Sequence, residues 1–199
     1  MIDDVIALRR DLHAHPELAF EEKRTTDVII DRLLRVGLVP QVLPGGTGVV
    51  CDIGTTGPMI ALRADIDALP ISDLKDVPYR STVEDVCHGC GHDAHTAILL
   101  GAAAELAGAE LPGRIRLIFQ PAEESLPGGA VSVVAAAHST GWSGSSRCTA
   151  TRAWTPARSV RASARSRLHA TRSRSCFPAP VGTPPVRTSP STSSTRWAG

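Results

Sequence analysis

No run of about 18 apolar residues occurs in this chain, so a membrane-spanning helix is not expected. Positive charge is missing where a secretory leader needs it. The first residues, MIDDVIALRRDL, open with acids, which argues against export and for a cytoplasmic protein. Cysteine is sparse: five thiols, at 51, 87, 90, 148 and 176, are too few and too irregular for a disulfide framework. In a cytoplasmic chain Cys87 and Cys90 read instead as thiols beside histidines.

The most telling absence is of acid. All 20 Asp and Glu lie in residues 1–137, together with 11 of the 21 Lys and Arg, for a net charge of −9. Residues 138–199 hold no acid and no lysine but ten arginines, a net of +10. The overall +1 is therefore a balance of two unlike segments. The tail also has 13 Ser, 9 Thr and 6 Pro against five Leu, Ile, Val or Phe. Such a composition cannot bury enough apolar surface to offset its ordering entropy, so 138–199 is expected to be disordered.

What is present in 1–137 reads as an α/β domain. DDVIALRRDLHAH has acids first, then Val5, Leu8 and Leu12 at helical spacing, and Pro16 ends it. A second helical pattern spans about Phe20–Val36 and stops at Gly37. LVPQVL, TGVVCDIG and MIALRAD read as short strands between Gly and Pro. A helix is expected over about Ala94–Ala107, GRIRLIFQ as a buried strand, and GGAVSVVAAA as a helix start. Alternating strands and helices imply a sheet with helices on its faces.

Three places carry chemistry. VCHGCGHDAHT, 86–96, packs two cysteines, three histidines and an aspartate into eleven residues. Cys90 and His92 are two apart, on one face of an extended backbone, and thiolate plus imidazole suits zinc or a similar ion. Asp93 is placed to cap the following helix. The same string could be a loop with a buried cysteine and solvent-facing histidines. A structural zinc knuckle would need a second ligand pair, and Cys148 and Cys176 stand isolated.

FQPAEES follows a strand, so Glu123 and Glu124 sit where open α/β sheets place their active sites. Adjacent side chains diverge, which would let one ligate a metal while its neighbour faces water. A solvated acidic turn is the alternative. In ALRADIDALPI, Asp65 and Asp67 end a strand; they could orient a ligand histidine or cap the next turn.

Taken in order, RRDLHAHPELAFEE, ALRADIDALPI, CHGCGHDAHTA, RLIFQPAEE and PGGA resemble the M20 peptidase family. The resemblance is strongest to its amidohydrolase branch of N-acyl-amino-acid amidohydrolases, hippurate hydrolases and auxin-conjugate hydrolases, and it covers residues 5–137. It implies the N-terminal portion of a three-layer, zinc-peptidase-like α/β catalytic domain. It implies two divalent ions, zinc or manganese, about 3.5–4 Å apart, and hydrolysis of an N-acyl amino acid or a related amide. By motif, Cys90, His92 and Glu124 match metal ligands and Glu123 matches the catalytic base. Asp65 falls where related branches keep an active-site aspartate, with Arg63 at the place of those branches' histidine. Gly89 departs from the family, which has a larger residue there.

The family carries a further ligand histidine about two dozen residues after the ligand glutamate, in a stretch like ALHxDP. Near position 148 this chain has Cys148 and Thr149. Regrouping allowed codons for His138–Arg152 by one base yields ALDGVERVFALHCDP, and the same shift lets APVGTPPVRT hide GPGGHTARPH. A frameshift between about Ala135 and His138 is therefore expected, leaving a chain of little or no activity without the family's inserted dimerisation domain. The competing reading takes the arginines at face value, as a basic tail for nucleic acid or acidic partners. No nucleic-acid module accompanies them and Trp142, Trp154 and Trp197 are scattered, so nucleic acid is not the expected partner.

Overall fold

The structure, a computed structural model, describes residues 2–139. His138 and Ser139, where the disordered tail was expected to begin, are helical; the rest of the tail and the Cys148–Thr149 position lie outside the described residues. The elements in chain order are α1 (Ile2–Ala14), α2 (Lys23–Arg35), β1 (Gln41–Val42), β2 (Val49–Ile53), β3 (Met59–Asp65), α3 (His92–Leu106), β4 (Arg114–Gln120) and α4 (Ala130–Ser139). Among the described residues, no helix is long and apolar enough to cross a membrane.

The strands form one mixed sheet in the order β1-β2-β4-β3. The chain turns back at LPGGTG, so β1 and β2 pair antiparallel, and β2 pairs antiparallel with β4. β3 and β4 are parallel because α3 carries the chain back between them. Their register, Met59 opposite Arg114 through Asp65 opposite Gln120, brings both C-terminal ends to one edge of the sheet. The backbone bond from Ile66 N to Gln120 O, 3.0 Å, closes that edge.

Alternation along the strands builds two apolar layers. Val49, Cys51 and Ile53 of β2 and Ile115, Leu117 and Phe119 of β4 face one side. There they meet Leu8 and Leu12 of α1, Ile29 and Leu33 of α2, and Ala97, Leu100 and Ala103 of α3. Ile118, Ala61 and Leu43 point to the other side and meet Val133 of α4. The expected helix-covered sheet is therefore present, with three helices on one face and α4 on the other.

Glu17 caps α2 from a distance. Its carboxylate accepts the N–H groups of Arg24 (2.9 Å) and Thr25 (2.7 Å), donors that the helix's own first turn leaves unpaired. Residues 66–91, between β3 and α3, are tied down by paired bonds between Leu69 and Cys87, both 3.0 Å, and by Ala68 N to Glu17 O, 2.8 Å. That segment therefore lies against the end of β3, where it delivers Asp67 and Cys90.

Candidate metal centre

The sheet edge where β3 and β4 both end faces the N-terminus of α3. Gly91, at φ +83, turns the chain into that helix, a conformation costly for any residue with a side chain. It places Cys90 just before the helix and His92 as its first residue. Here ligand atoms of Cys90, His92 and Glu124 all lie within 4.8 Å of one another. Thiolate, imidazole and carboxylate are the donors of a zinc-type site. Two ligands on one tetrahedral ion sit about 3–4 Å apart, so the three side chains fit such an ion.

The protonation pattern of His92 supports the same reading. Its Nδ1 lies 2.8 Å from the Asp67 carbonyl oxygen and 3.3 Å from Asp67 Oδ1, so Nδ1 carries the proton and donates. In the neutral ring Nε2 then presents its lone pair, 4.0 Å from both Glu123 Oε2 and Glu124 Oε1. A ligand histidine needs this tautomer. Burial works to lower the His92 pKa, but the contacts with Asp67 outweigh it and the net shift is upward.

Asp67 is 1% exposed. Burial works to raise its pKa, but bonds from His92 and from the N–H groups of Glu124 and Glu123 prevail and hold it below the usual carboxylate range. Its Oδ2 accepts Glu124 N–H at 2.9 Å, while Oδ1, 3.3 Å from His92 Nδ1, has no other hydrogen-bond partner among the described residues. A buried carboxylate oxygen with spare acceptor capacity beside a ligand histidine suits a cation site.

Of the sequence candidates, Cys90, His92, Glu123 and Glu124 come together. Asp65 lies beside them at the end of β3, but its carboxylate pairs with Arg63, and its carbonyl accepts the Thr96 hydroxyl at 3.2 Å. Asp67, rather than Asp65, holds the histidine. Asp93 does not cap α3, which has no side-chain cap: its carboxylate bonds His13 Nδ1 at 2.6 Å and Arg9 Nε at 2.9 Å. Tertiary partners on α1 outcompete the local N–H groups. Nor does His88 face solvent. It is 5% exposed, neither ring nitrogen has a partner, and burial pushes its pKa down to about 4.

A second cluster, His13, Asp73 and Cys87, is fully buried and also has ligand atoms within 4.8 Å. It is closed by a cation of its own. Lys75 Nζ lies 2.8 Å from Asp73 and 3.7 Å from the Cys87 sulfur, and both nitrogens of His13 already contact carboxylates. This is an ion network that ties residues 73–87 to α1, not a metal site.

The sequence profile of peptidase family M20/M25/M40 matches residues 61–164, just over half the chain. This chain belongs to that family. The profile match runs beyond Ala137, where the family pattern was expected to stop. The M20 chain is also 57% identical over 133 residues to a Rhodococcus jostii protein named as a glutamate–cysteine ligase, a match to 66% of this chain and 17% of that protein. It is 50% identical to an N-acetyl-L-cysteine deacetylase of Bacillus subtilis, over 61% of this chain and 30% of that enzyme. It is 43% identical to an N-acyl-L-amino acid amidohydrolase of Geobacillus stearothermophilus, over 67% and 37%. The chain thus spans little more than a third, or less, of the curated relatives it matches. A solved dinuclear metal-binding M20 peptidase of Bacillus subtilis superposes with a TM-score of 0.66 at 45% identity, covering 71% of this chain and 41% of that one.

Proposed function

We propose that this M20 sequence belongs to a cytoplasmic, metal-dependent amidohydrolase that cleaves the amide bond of N-acyl amino acids or related conjugates. The observation that carries the reading is the convergence of Cys90, His92 and Glu124 at the sheet edge, with Glu123 beside His92 Nε2. The relatives named as an N-acetyl-L-cysteine deacetylase and an N-acyl-L-amino acid amidohydrolase support the substrate class.

Cys90, His92 and Glu124 would hold a divalent ion, zinc or manganese, one of the pair the family uses. When bound, such an ion supplies Lewis-acid polarisation of the scissile carbonyl and makes water more acidic. The protein's own residues do the rest. Asp67 keeps His92 in the tautomer that presents Nε2. The Glu123 carboxylate, half-exposed at the mouth of the cluster, takes a proton from the attacking water and returns it to the leaving nitrogen. Asp65, paired with Arg63, steadies this end of β3 next to His92.

We further infer that a one-base shift near Ala135–His138 separates the chain from its family pattern, so that its own turnover is low. The charge break and the two motifs recovered in one shifted frame support this. Sequencing the gene decides it. An unshifted frame would sink the idea and leave the profile match through residue 164 as ordinary family sequence.

The activity test is turnover of a panel of N-acyl amino acids by the full chain, and by a version with the frame restored, with Mn²⁺ or Zn²⁺ present. Hydrolysis by the restored chain that disappears in Glu123→Gln is expected. Absence of both hydrolysis and metal binding in the restored chain would overturn the reading.

A further inference from the structure

In RRDLHAHPELAFEE, Arg9 and His13 bond Asp93 and Glu17 caps α2, which leaves Glu22 without a local duty. Glu22 is completely buried. Its Oε1 accepts the backbone N–H of Ala122 at 2.8 Å, across a separation of 100 residues. Its Oε2 is also buried and has no hydrogen-bond partner. Backbone groups of Glu22 itself and of Phe20 also favour the carboxylate, yet burial still outweighs them all, so this is a poor way to gain stability. What the long-range bond to Ala122 holds is the point of interest.

Ala122 immediately precedes Glu123 and Glu124. It adopts φ +51, a left-handed conformation that residues with a Cβ seldom take. Three contacts keep it there. Glu22 accepts its N–H, Gly129 N donates to its carbonyl at 3.0 Å, and Pro121 packs so closely on Gly129 that a Cβ there would meet the Pro121 carbonyl oxygen at 2.0 Å. Two residues later, Glu124 N–H is bonded to Asp67 at 2.9 Å. The backbone carrying the two glutamates is thus gripped by a buried carboxylate at each end, Glu22 before it and Asp67 after it. Among the described residues, neither the Glu123 nor the Glu124 carboxylate accepts a hydrogen bond. Among the described residues, the hydrogen bonds that aim them at His92 act on their backbone.

We propose that Glu22 is a positioning residue: by holding the Ala122 N–H it fixes the turn that presents Glu124 as a metal ligand and Glu123 as the base. Glu22 does not touch metal or substrate and acts only through Ala122. The inference rests on the reading of Cys90, His92 and Glu124 as a metal centre.

The test compares the full chain with Glu22→Ala and Glu22→Gln, since the Gln side-chain oxygen can still accept the Ala122 N–H. Two measurements are made: Co²⁺ affinity, from its visible absorption and by calorimetry, and hydrogen exchange at the Ala122 and Glu124 amides. Expected in Glu22→Ala are Co²⁺ binding at least tenfold weaker and faster exchange at those two amides, with exchange in α1 and β2 unchanged. Glu22→Gln should restore most of both. Exchange at Ala122 and Glu124 that is the same in all three proteins would overturn the proposal. So would uniformly faster exchange throughout the chain, which marks a merely structural role, or Co²⁺ affinity unchanged in Glu22→Ala. If the parent chain binds no Co²⁺, the metal-centre reading fails and Glu22 loses its role with it. The exchange data would then still report whether the brace on Ala122 exists.

Discussion

The Nδ1 of His92 donates to the main-chain oxygen of Asp67, 2.8 Å away, while the side chain of the same aspartate accepts Glu124 N–H at 2.9 Å. One buried residue therefore orients two of the three candidate ligands, one through its backbone and the other through its carboxylate.

Asp67→Ala should weaken metal binding by about 10–100-fold, the usual effect of removing a residue that orients ligands. Zn²⁺ or Co²⁺ titration of the purified chain measures this. An unchanged affinity would mean that the backbone bond alone suffices to orient His92.

The adjacent glutamates should separate cleanly. Glu124→Ala and Cys90→Ala are expected to lose metal affinity. Glu123→Gln should retain it while hydrolysis by a frame-restored chain falls by about 10²–10⁴-fold. Loss of metal affinity in Glu123→Gln would reverse the two assignments.

Two buried carboxylates should titrate with opposite sign. At Asp73, burial works to raise the pKa but is outweighed by Lys75 and by the N–H groups of Ser81 and Lys75, leaving it well below the usual range. Its contribution is full above the unfolded pKa of about 4 and is lost as pH falls below that. Asp73→Asn should therefore cost about 1–3 kcal/mol at pH 7 and progressively less in acid. At Glu22, burial prevails over nearby backbone N–H groups and raises the pKa. Ionising it costs stability as pH rises above about 4–5. The stability of Glu22→Gln relative to the parent should accordingly improve between pH 4 and pH 7. Urea melts of the three proteins across that range check both signs.

β3 pairs only with β4 among the described strands, and Ile60 on it is 50% exposed. An open strand edge with apolar side chains invites self-association. Ile60→Lys should reduce sedimenting aggregate at high protein concentration and leave the melting temperature within a few degrees. More aggregate, or a collapse of the melting temperature, would show that Ile60 is covered in solution.

Local pattern was enough for most of the fold. Helical spacing of Val5, Leu8 and Leu12, the stop at Gly37 and the apolar run RLIF set α1, α2 and β4 to within a few residues, because these are short-range signals. Pairing was not legible. Nothing in TGVVCDIG says that it lies antiparallel beside β4 while MIALRAD lies parallel on its other side.

At the site, residue types offered Cys90, His92, Glu123 and Glu124 as candidates at expected strand and helix ends, and the family resemblance assigned them as ligands and base. Asp65, Asp67 and Asp93 were open to several roles, since an aspartate's duty depends on which distant donor reaches it. Glu22 was invisible for the same reason: its partner is 100 residues away.

The sequence by itself determined the elements of 1–137, the family pattern and the chemistry on offer at the end of β3, before α3 and after β4. Those depend on periodicity, turn residues and side-chain type, all local properties. Only the tertiary structure decided that Asp67 holds His92 and Glu124, that Asp93 turns back to α1, that Lys75 closes the second cluster, and that Glu22 braces Ala122. Each is a hydrogen bond or ion pair between residues distant along the chain or competing for the same donor. Such contacts exist only after the sheet has brought its parallel strand ends to one edge.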